Sequence, residues 1–235
     1  MHIDLNCDLG EGAPHDAELM PLITSANVAC GFHAGDQETM NRCVELALAH
    51  DVAIGAHPGY DDREYFGRRE MTLSSSDLVD LVTAQIHALR SATSSHKATL
   101  RHVKPHGALY NQAARDPAIA SSIAGAIYEI DPSLVLFGLS GSELIRAGEA
   151  RGLATAREIF ADRRYQPDGS LVPRSHPDAM IHDVAEACDQ TLRLIHAGHA
   201  DTVCIHGDGP HAVEFAHALR RKLQAAGIEI KRFTP

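Results

Sequence analysis

Short apolar runs alternate with amphipathic stretches along the whole chain of 235 residues. Seven runs have the length and composition of a buried strand: Ile3–Cys7, Ala26–Cys30, Val52–Ala56, Leu100–Val103, Leu134–Gly138, Leu153–Phe160 and Thr202–Ile205. The stretches between them carry apolar residues at helical spacing, over Gln37–His50, Ser76–Ser91, Asp116–Ile130, Ser142–Arg151, Asp183–Ala197 and His211–Ala226. Because neighbouring parallel strands need crossover connections, this alternation predicts an α/β fold with a parallel sheet.

The same pattern indicates how the sheet is closed. No G-x-G-x-x-G opening introduces any candidate strand, which disfavours a doubly wound sheet. About seven strand–helix units favour a TIM-barrel-like, seven-stranded parallel (β/α) barrel instead. No linker, repeat or low-complexity segment divides residues 1–235, so we expect one barrel domain.

Composition narrows the classes of partner. The formal net charge is −10, and an acidic surface argues against a duplex nucleic-acid binder, which needs clustered Lys and Arg. No apolar window approaches the roughly 18–20 residues of a membrane span, and the start lacks signal-peptide features. Five scattered cysteines without C-x-x-C suit reduced thiols. We therefore expect a soluble, cytoplasmic protein that takes a small-molecule substrate and binds neither nucleic acid nor membrane.

Polar side chains able to bind metals, protons or anions follow almost every predicted strand. In chain order they are Asn6, Asp8, Glu11, His33, His57, Lys104, His106, Glu158, His206 and Asp208. The carboxyl ends of barrel strands meet at one face, where (β/α)-barrel enzymes place their active sites. We therefore expect these side chains to surround one mouth of the barrel.

Each of these residues also has a plainer interpretation. A lone strand-end histidine is more often structural than functional, but four at equivalent ends predict that at least two are functional. Asp8 and Glu11 could instead cap the following segment. Lys104 could be a solvated charge, although a lysine that ends an interior strand more often faces a ligand. The cysteines inside strands are interpreted as small buried hydrophobes: Cys7, Cys30 and Cys204.

Loops and turns add two further signals. The polar stretches Gly59–Glu70 and Asp162–Met180 are long loops, which in compact domains are often functional. No Walker-type phosphate loop occurs, but the glycine turns Gly31–Gly35 and Gly138–Ser142 could hold a phosphate or simply close βα loops. The absence of a G-x-S-x-G elbow disfavours a serine hydrolase of the α/β type.

At these same residues the sequence resembles a known family. Asp4–Gly12 resembles the D-L-N-x-D-x-G-E opening of the LamB/YcsF family, the 5-oxoprolinase A subunits. Further matching blocks follow in the family's order: Ser25–Asp36, Gly55–Tyr60, Phe66–Arg69, Val103–Asn111, Glu158–Arg163, Leu171–Arg174 and His206–Asp208. Two connections look shorter than is usual, after Gly12 and over Ala197–Thr202. Both border loops, so the site's rim or a contact between subunits is where a difference is expected.

The resemblance implies a seven-stranded barrel related to the glycoside hydrolase/deacetylase class. It also implies conversion of 5-oxo-L-proline, ATP and water to L-glutamate, ADP and phosphate, with ATP as a co-substrate accompanied by Mg²⁺. The family implies work alongside two partner subunits, B and C. A shared hydrolytic role would fit the polar groups at the strand ends, although their spacing does not name the substrate.

The residues suggest roles in such a reaction. Lys104, with Arg68 or Arg69, would steady the substrate carboxylate or a phosphate. The remaining candidates for binding substrate or phosphate are Asn6, His33, Glu158, His206 and Asp208. Asp8 or Glu11 would orient or deprotonate water, while a strand-end histidine (His57 or His106) would carry protons to the ring nitrogen.

Two other interpretations stay open. Related deacetylases hold a divalent metal with one Asp and two His, and Asp8, His57 and His106 could supply such a set. The chain would then be a metal-dependent amidohydrolase or deacetylase that does not use ATP. Alternatively, it would be a non-catalytic subunit that binds a small acid while its partners carry out the chemistry.

Overall fold

The computed structural model describes residues 1–207, 209 and 211–235. Its strands are β1 (His2–Leu9), β2 (Ser25–Ala29), β3 (Ala53–His57), β4 (Leu100–Val103), β5 (Val135–Leu139), β6 (Thr155–Phe160), β7 (Thr202–Ile205) and β8 (Glu229–Ile230). Its α-helices are α1 (Asp16–Leu19), α2 (Gln37–Ala49), α3 (Ser75–Ser95), α4 (Gly107–Arg115), α5 (Pro117–Ile130), α6 (Glu143–Arg151), α7 (Val184–His196) and α8 (Ala212–Ala225). Short 3-10 turns cover Met20–Leu22 and Arg63–Tyr65.

Strands β1 to β7 form a closed parallel barrel. Each strand pairs with the next in chain order, and β7 returns to β1, where Asp4 pairs with Thr202. Strand β1 is long enough to pair at its start with β8, in its middle with β7 and at its end with β2. The predicted seven-stranded parallel barrel is confirmed, and β8 is an added short strand beside β1.

The two faces of the barrel wall differ in polarity because successive side chains of a strand point in opposite directions. Leu5 and Cys7 point outward into the apolar core shared with the helices. Asp4, Asn6 and Asp8 alternate with them and point into the barrel, where they bond to polar residues of neighbouring strands. The helices therefore cover the apolar face of β1, and the polar face of β1 is turned to the barrel interior.

Local signals explain where most helices begin and end. Five of them start after an Asp or Ser whose side chain accepts a backbone N–H of the first turn: Asp36, Ser74, Asp116, Ser142 and Asp183. Helix α6 ends at Gly152 with φ 91°, the left-handed conformation typical of a glycine C-cap. Among the described residues, none of the helices has both the length and the apolar character needed to cross a bilayer.

Three elements were not predicted, namely α1, α4 and β8, and tertiary contacts stabilise the last two. Helix α4 follows His106, which provides no side-chain cap, and begins at Gly107 with φ 53°. Its first turn is stabilised by a contact with another segment, since the N–H of Ala108 donates to the carbonyl of Gly67. Strand β8 is two residues long and is extended by the N–H of Lys231, which donates to the carbonyl of Ile3.

Candidate active site

A cavity of about 410 Å³ opens at the carboxyl ends of the barrel strands. Its lining includes the predicted side chains of Asp8, Glu11, His57, Lys104 and His106. Other lining residues come from the long loops and the end of β7: Arg68, Arg163, Arg174 and His206. The structure thus gathers predicted candidates from four strand ends, and residues of both predicted functional loops, around one opening.

Lys104 is the buried cation of this site. It is 1% exposed, and its Nζ lies 2.8 Å from Glu158 Oε1 and 2.9 Å from Asp8 Oδ1. Nζ is also 3.1 Å from Cys204 Sγ and 3.2 Å from Asn6 Oδ1. Burial opposes the charge, but the adjacent carboxylates outweigh burial and hold the pKa of Lys104 well above its usual range. Lys104 is therefore a cation that fixes two carboxylates.

A second polar layer lies beneath Lys104. Asn27 donates its Nδ2 hydrogens to Asn6 Oδ1 and Asp8 Oδ1, both at 2.8 Å. His102 Nε2 lies 2.8 Å from Asn27 Oδ1, and burial together with the Lys104 charge lowers the pKa of His102 to about 3. His102 is therefore neutral and donates Nε2–H to Asn27. This layer holds the Asp8 carboxylate in a fixed orientation.

Glu158 closes the same network from the other side of the barrel. Its Oε1 accepts a hydrogen bond from Asn6 Nδ2 at 2.9 Å, and its Oε2 accepts the Tyr110 hydroxyl at 2.7 Å. Asn6 Nδ2 also lies 2.7 Å from the hydroxyl oxygen of Thr202. Glu158 is fully buried, so its charge is balanced by Lys104 and by these donors rather than by water.

Glu11 and three histidines form a second cluster on the opposite side of Asp8. The rings of His33 and His106 stack with centroids 3.8 Å apart and planes 3° from parallel. His33 Nε2 and His106 Nδ1 each lie 3.0 Å from Glu11 Oε1. His57 Nε2 lies 3.0 Å from His106 Nδ1 and 3.5 Å from Glu11 Oε1. It is also 3.4 Å from Asp8 Oδ2, which joins this cluster to the Lys104 network.

In His57 and His106, the ring nitrogen that points away from the cluster shows where the hydrogen of the ring lies. We call it the outer nitrogen. His57 Nδ1 lies 2.7 Å from the carbonyl oxygen of Lys104, and His106 Nε2 lies 2.8 Å from that of Phe66. A carbonyl only accepts, so both outer nitrogens carry hydrogen. His33 differs, because its buried Nδ1 has no hydrogen-bond partner among the described residues. The hydrogen of a neutral His33 therefore belongs on Nε2, where it is donated to the facing carboxylate.

The carboxylates of Asp8 and Glu11 are both ionised. Burial raises the pKa of Asp8, but the adjacent His57 ring and Lys104 ammonium outweigh burial and hold that pKa well below its usual range. Burial also opposes ionisation of Glu11, yet the contacts with His106 and His33 outweigh burial and lower its pKa. Burial lowers the pKa of His33 to about 3, so this ring is neutral. The site combines fixed negative charge with imidazoles, as acid–base chemistry requires.

Arg69, predicted to bind substrate or phosphate, lies outside this cavity. Its guanidinium lies 2.6 Å from Asp62 Oδ1 and stacks over the Tyr65 ring at 3.7 Å. Arg69 is absent from the residues that line the main cavity, while Arg68 is among them. The nearby carboxylate and aromatic ring hold Arg69 outside the opening, so Arg68 is the arginine of this pair that remains a candidate.

The other predicted binding residues differ in where they lie relative to the cavity. Asn6 and Glu158 are fully buried beneath the cavity and act on it through Lys104. His33 lies behind Glu11 and faces a neighbouring cavity of about 660 Å³. His206 lines the main cavity, whereas Asp208 lies outside the described residues.

Several site residues were missed from the sequence. His102 precedes Lys104 by two positions on the same strand, so strand alternation was a signal that both face inward. Tyr110 lies on α4, the helix that was not predicted. Asp162 orients the cavity residue His206, whose Nδ1 lies 2.8 Å from its Oδ1, and only the fold reveals that contact.

Two groups of described side chains have the composition and spacing to hold a metal ion. One group is Glu11, His33, His57 and His106, and the other is Asp8, Cys204 and His206. The predicted set of Asp8, His57 and His106 is divided between them. In the second group the Lys104 ammonium already lies 2.9 Å from Asp8 and 3.1 Å from Cys204, so positive charge is supplied there by the protein.

A closed parallel barrel with ionised carboxylates, imidazoles and a buried lysine at its strand ends defines a (β/α)-barrel protein with an acid–base site. Within that class, the chain belongs to the LamB/YcsF family, whose model matches residues 3–235.

Relatives match along almost the whole chain. The 5-oxoprolinase A subunit of Erwinia tasmaniensis is 51% identical over 98% of this chain and 99% of its own length. The 5-oxoprolinase A subunit of Brevibacillus brevis is 53% identical over 97% of this chain and 96% of its own. The crystal structure of the lactam utilization protein from Thermus thermophilus superposes with a TM-score of 0.92 at 42% identity, covering 99% and 100% of the two chains.

The fold also extends to more distant proteins. The catalytic domain of a peptidoglycan N-acetylglucosamine deacetylase from Eubacterium rectale matches with a TM-score of 0.56 at 12% identity, covering 99% of this chain and 88% of that domain. At that identity the likeness shows a shared fold. The expected relation of this barrel to the deacetylase class is confirmed at that level.

Proposed function

We propose that this chain is the A subunit of a cytoplasmic, ATP-dependent 5-oxoprolinase that works with partner subunits B and C. The proposed reaction opens the lactam of 5-oxo-L-proline to give L-glutamate, and it converts ATP to ADP and phosphate. One observation carries the proposal: proteins named as 5-oxoprolinase A subunits share about half of their residues with this chain over nearly its full length.

The chemistry explains why ATP would be needed. A lactam carbonyl is stabilised by amide resonance and is a poor electrophile. Transfer of the terminal phosphoryl group to the lactam oxygen, accompanied by Mg²⁺, releases ADP and makes the ring carbon reactive. Water adds to that carbon, the carbon–nitrogen bond breaks, and the nitrogen takes a proton. A second water then hydrolyses the resulting acyl phosphate to carboxylate and phosphate.

The cavity contains groups suited to these steps. Asp8 and Glu11 are ionised and lie at its base, where either could orient water and accept its proton. His57 or His106 would deliver a proton to the ring nitrogen. Anionic groups of the substrates would bind toward the arginine-bearing loops, where Arg68 lines the cavity.

The experiment that tests this proposal compares the chain alone with the chain assembled with subunits B and C. We expect 5-oxoproline to stimulate phosphate release only in the complex, with glutamate and phosphate formed in equal amounts. Asp8→Asn should reduce both products by roughly 100-fold or more, the scale of a lost acid–base group. Arg151→Gln is the matched control, because Arg151 pairs with Glu129 on the surface.

Other outcomes would identify other functions. Phosphate release that ignores 5-oxoproline would overturn the proposal. A second candidate, an amidohydrolase or deacetylase that does not use ATP, is favoured by the cluster of Glu11 with three histidines. Glutamate formation by the chain alone, without ATP, would support that candidate. Tight binding of 5-oxoproline, with the complex's activity unaffected by Asp8→Asn, would support a non-catalytic binding role.

A further inference from the structure

We propose that Glu11, His57 and His106 bind one divalent transition-metal ion, and that His33 positions Glu11 by donating a hydrogen bond to it. This proposal goes beyond the lactam-opening function and does not depend on it. It rests on the hydrogen count of the cluster, on the distances between its inner atoms and on the packing that fixes its rings.

When His57 and His106 are neutral, the atoms of the cluster that face one another, its inner atoms, are all hydrogen-bond acceptors. Because His57 and His106 use their hydrogens on backbone carbonyls, His57 Nε2 and His106 Nδ1 present lone pairs to each other at 3.0 Å. His106 Nδ1 also faces the carboxylate oxygen of Glu11 at 3.0 Å. Contacts of this kind are unfavourable unless a positive charge lies between the atoms.

A single cation in the middle of the cluster would satisfy these atoms together, because it would face the two ring nitrogens and the carboxylate oxygen at once.

The distances are close to those around such an ion. Ligand atoms about 2.0–2.2 Å from a tetrahedral zinc ion lie about 3.3–3.6 Å from one another. The three inner contacts among Glu11, His57 and His106 are 3.0, 3.0 and 3.5 Å, so two of them would lengthen by a few tenths of an ångström when the ion binds. Asp8 Oδ2, 3.4 Å from His57 Nε2, adds negative charge beside the cluster. The outer N–H groups bond to carbonyls, as those of metal-bound histidines commonly do.

His33 belongs to the cluster in a different role. A ligating His33 Nε2 would place its hydrogen on Nδ1, which is buried without a hydrogen-bond partner among the described residues. Placing the hydrogen on Nε2 instead gives Glu11 Oε1 a donor at 3.0 Å. The geometry therefore makes His33 a positioning residue that acts through Glu11.

Two glycines hold the stacked rings in place. A Cβ at Gly59 would lie 2.7 Å from His33 Nδ1, and one at Gly67 would lie 2.8 Å from the Cβ of His33. The backbone at both glycines therefore packs directly against this stack, and ring rotation has little room. Such preorganisation is what a metal site needs from its surroundings.

Imidazole and carboxylate donors favour zinc-like ions over Mg²⁺ or Ca²⁺, which prefer oxygen ligands. Bound there, the ion would supply a Lewis acid able to polarise a carbonyl or phosphoryl oxygen. The cluster is reached from the main cavity, since Glu11, His57 and His106 all line it.

Metal binding by the full-length chain tests the proposal directly. The purified protein would be stripped with a chelator, dialysed and titrated with Zn²⁺ alone, and then with Co²⁺ for its visible spectrum. We expect one ion per chain, measured by mass spectrometry of the metal and by calorimetry. A folded wild-type chain that binds no stoichiometric Zn²⁺ or Co²⁺ would overturn the proposal.

Variants separate ligands from the positioning residue. His57→Gln and His106→Gln should lose stoichiometric binding, while His33→Gln should keep one ion with an affinity about 10- to 100-fold weaker. His176→Gln is the matched control, because the His176 side chain is 57% exposed and should leave metal binding unchanged. Circular dichroism checks the fold of each variant. Unaltered binding in His57→Gln and His106→Gln, or complete loss in His33→Gln, would contradict the assignment.

Discussion

Single residues inside this barrel carry charge where barrel interiors are usually filled by branched apolar side chains. Lys104 lies between the carboxylates of Asp8 and Glu158; Lys104 and Glu158 are buried, and the Asp8 side chain is 10% exposed. Burying charges is costly, and the cost is offset only while each charge keeps its partners. Both the stability of the barrel and the arrangement of charges in the cavity therefore depend on this lysine.

Replacing Lys104 tests that dependence. Lys104→Met should lower the free energy of unfolding by about 3–5 kcal/mol, because it leaves two buried carboxylates without their cation. The double variant Lys104→Met with Glu158→Gln should recover part of that loss, since one uncompensated charge is removed as well. Urea unfolding measures both. A single variant within about 1 kcal/mol of the wild type would show that the network is not held by this charge.

Among the elements, β3 and α5 contain glycines with opposite surroundings. A Cβ at Gly55 on β3 would lie 2.0 Å from His102 Nε2, whose ring occupies the space that a larger residue would take. A Cβ at Gly125 on α5 would meet nothing within 4 Å. The first glycine is needed for packing, whereas the second only adds flexibility to a helix.

A matched pair of alanine substitutions follows from these surroundings. Gly55→Ala should lower the free energy of unfolding by about 1–3 kcal/mol or more, because the ring of His102 must move within a packed interior. Gly125→Ala should raise it by about 0.5–1 kcal/mol, because alanine favours the helix. Thermal unfolding gives both values, and the same sign for the two substitutions would contradict the packing argument.

The ion pair of Arg157 and Asp201 joins β6 to the segment that leads into β7. Arg157 donates Nε–H at 2.8 Å and a terminal N–H at 2.9 Å to the two carboxylate oxygens of Asp201. Burial raises the pKa of Asp201, but hydrogen bonds from Arg157 outweigh burial and lower it below its usual value. A lowered carboxyl pKa contributes stability above the unfolded-state pKa, and that contribution is lost as the pH falls.

Asp201→Asn should therefore reduce stability at neutral pH and have little effect in acid. We expect a loss on the order of 1 kcal/mol at pH 7, modest because the pair is partly exposed. The difference from wild type should shrink as pH falls below about 4, where an unfolded aspartate takes up its proton. Urea unfolding across this range measures the difference. A gap that stays constant with pH would mean that charge is not the cause.

At the scale of the whole molecule, the two ends of the chain complete the barrel. Strand β1 pairs with β7 and β8, so closure joins segments about as far apart in sequence as the chain permits. Beyond β8, Phe233 packs against Val135, Phe137 and Ala156, which form an apolar cluster of inward-facing strand residues.

Truncating Phe233 tests that contribution. Phe233→Ala should lower the free energy of unfolding by about 1–3 kcal/mol, less than the cost at a fully buried phenylalanine because this side chain is only partly buried. Leu48→Ala is the control, since Leu48 is 49% exposed and contributes little packing. Equal effects of the two substitutions in urea unfolding would show that the C-terminal segment does not stabilise the barrel.

The sequence by itself determined the order and most of the extent of the elements. Strands β4 and β7 match their predicted bounds of Leu100–Val103 and Thr202–Ile205 to the residue, because apolar periodicity is a local property. It also indicated that polar groups at strand ends would share one mouth, since parallel strands bring their carboxyl ends together. Helix α4 and strand β8 escaped prediction because contacts from distant segments, not local signals, define them.

Only the tertiary structure decided which polar groups meet. Lys104 and Asp8 are separated by 96 positions, and their contact depends on the closure and register of the whole barrel. The same closure places Glu11 against the edges of the stacked His33 and His106 rings, while Asp62 and Tyr65 hold Arg69 away from the opening. Periodicity fixes which face of a strand a residue occupies, but distances between side chains are set by packing across strands.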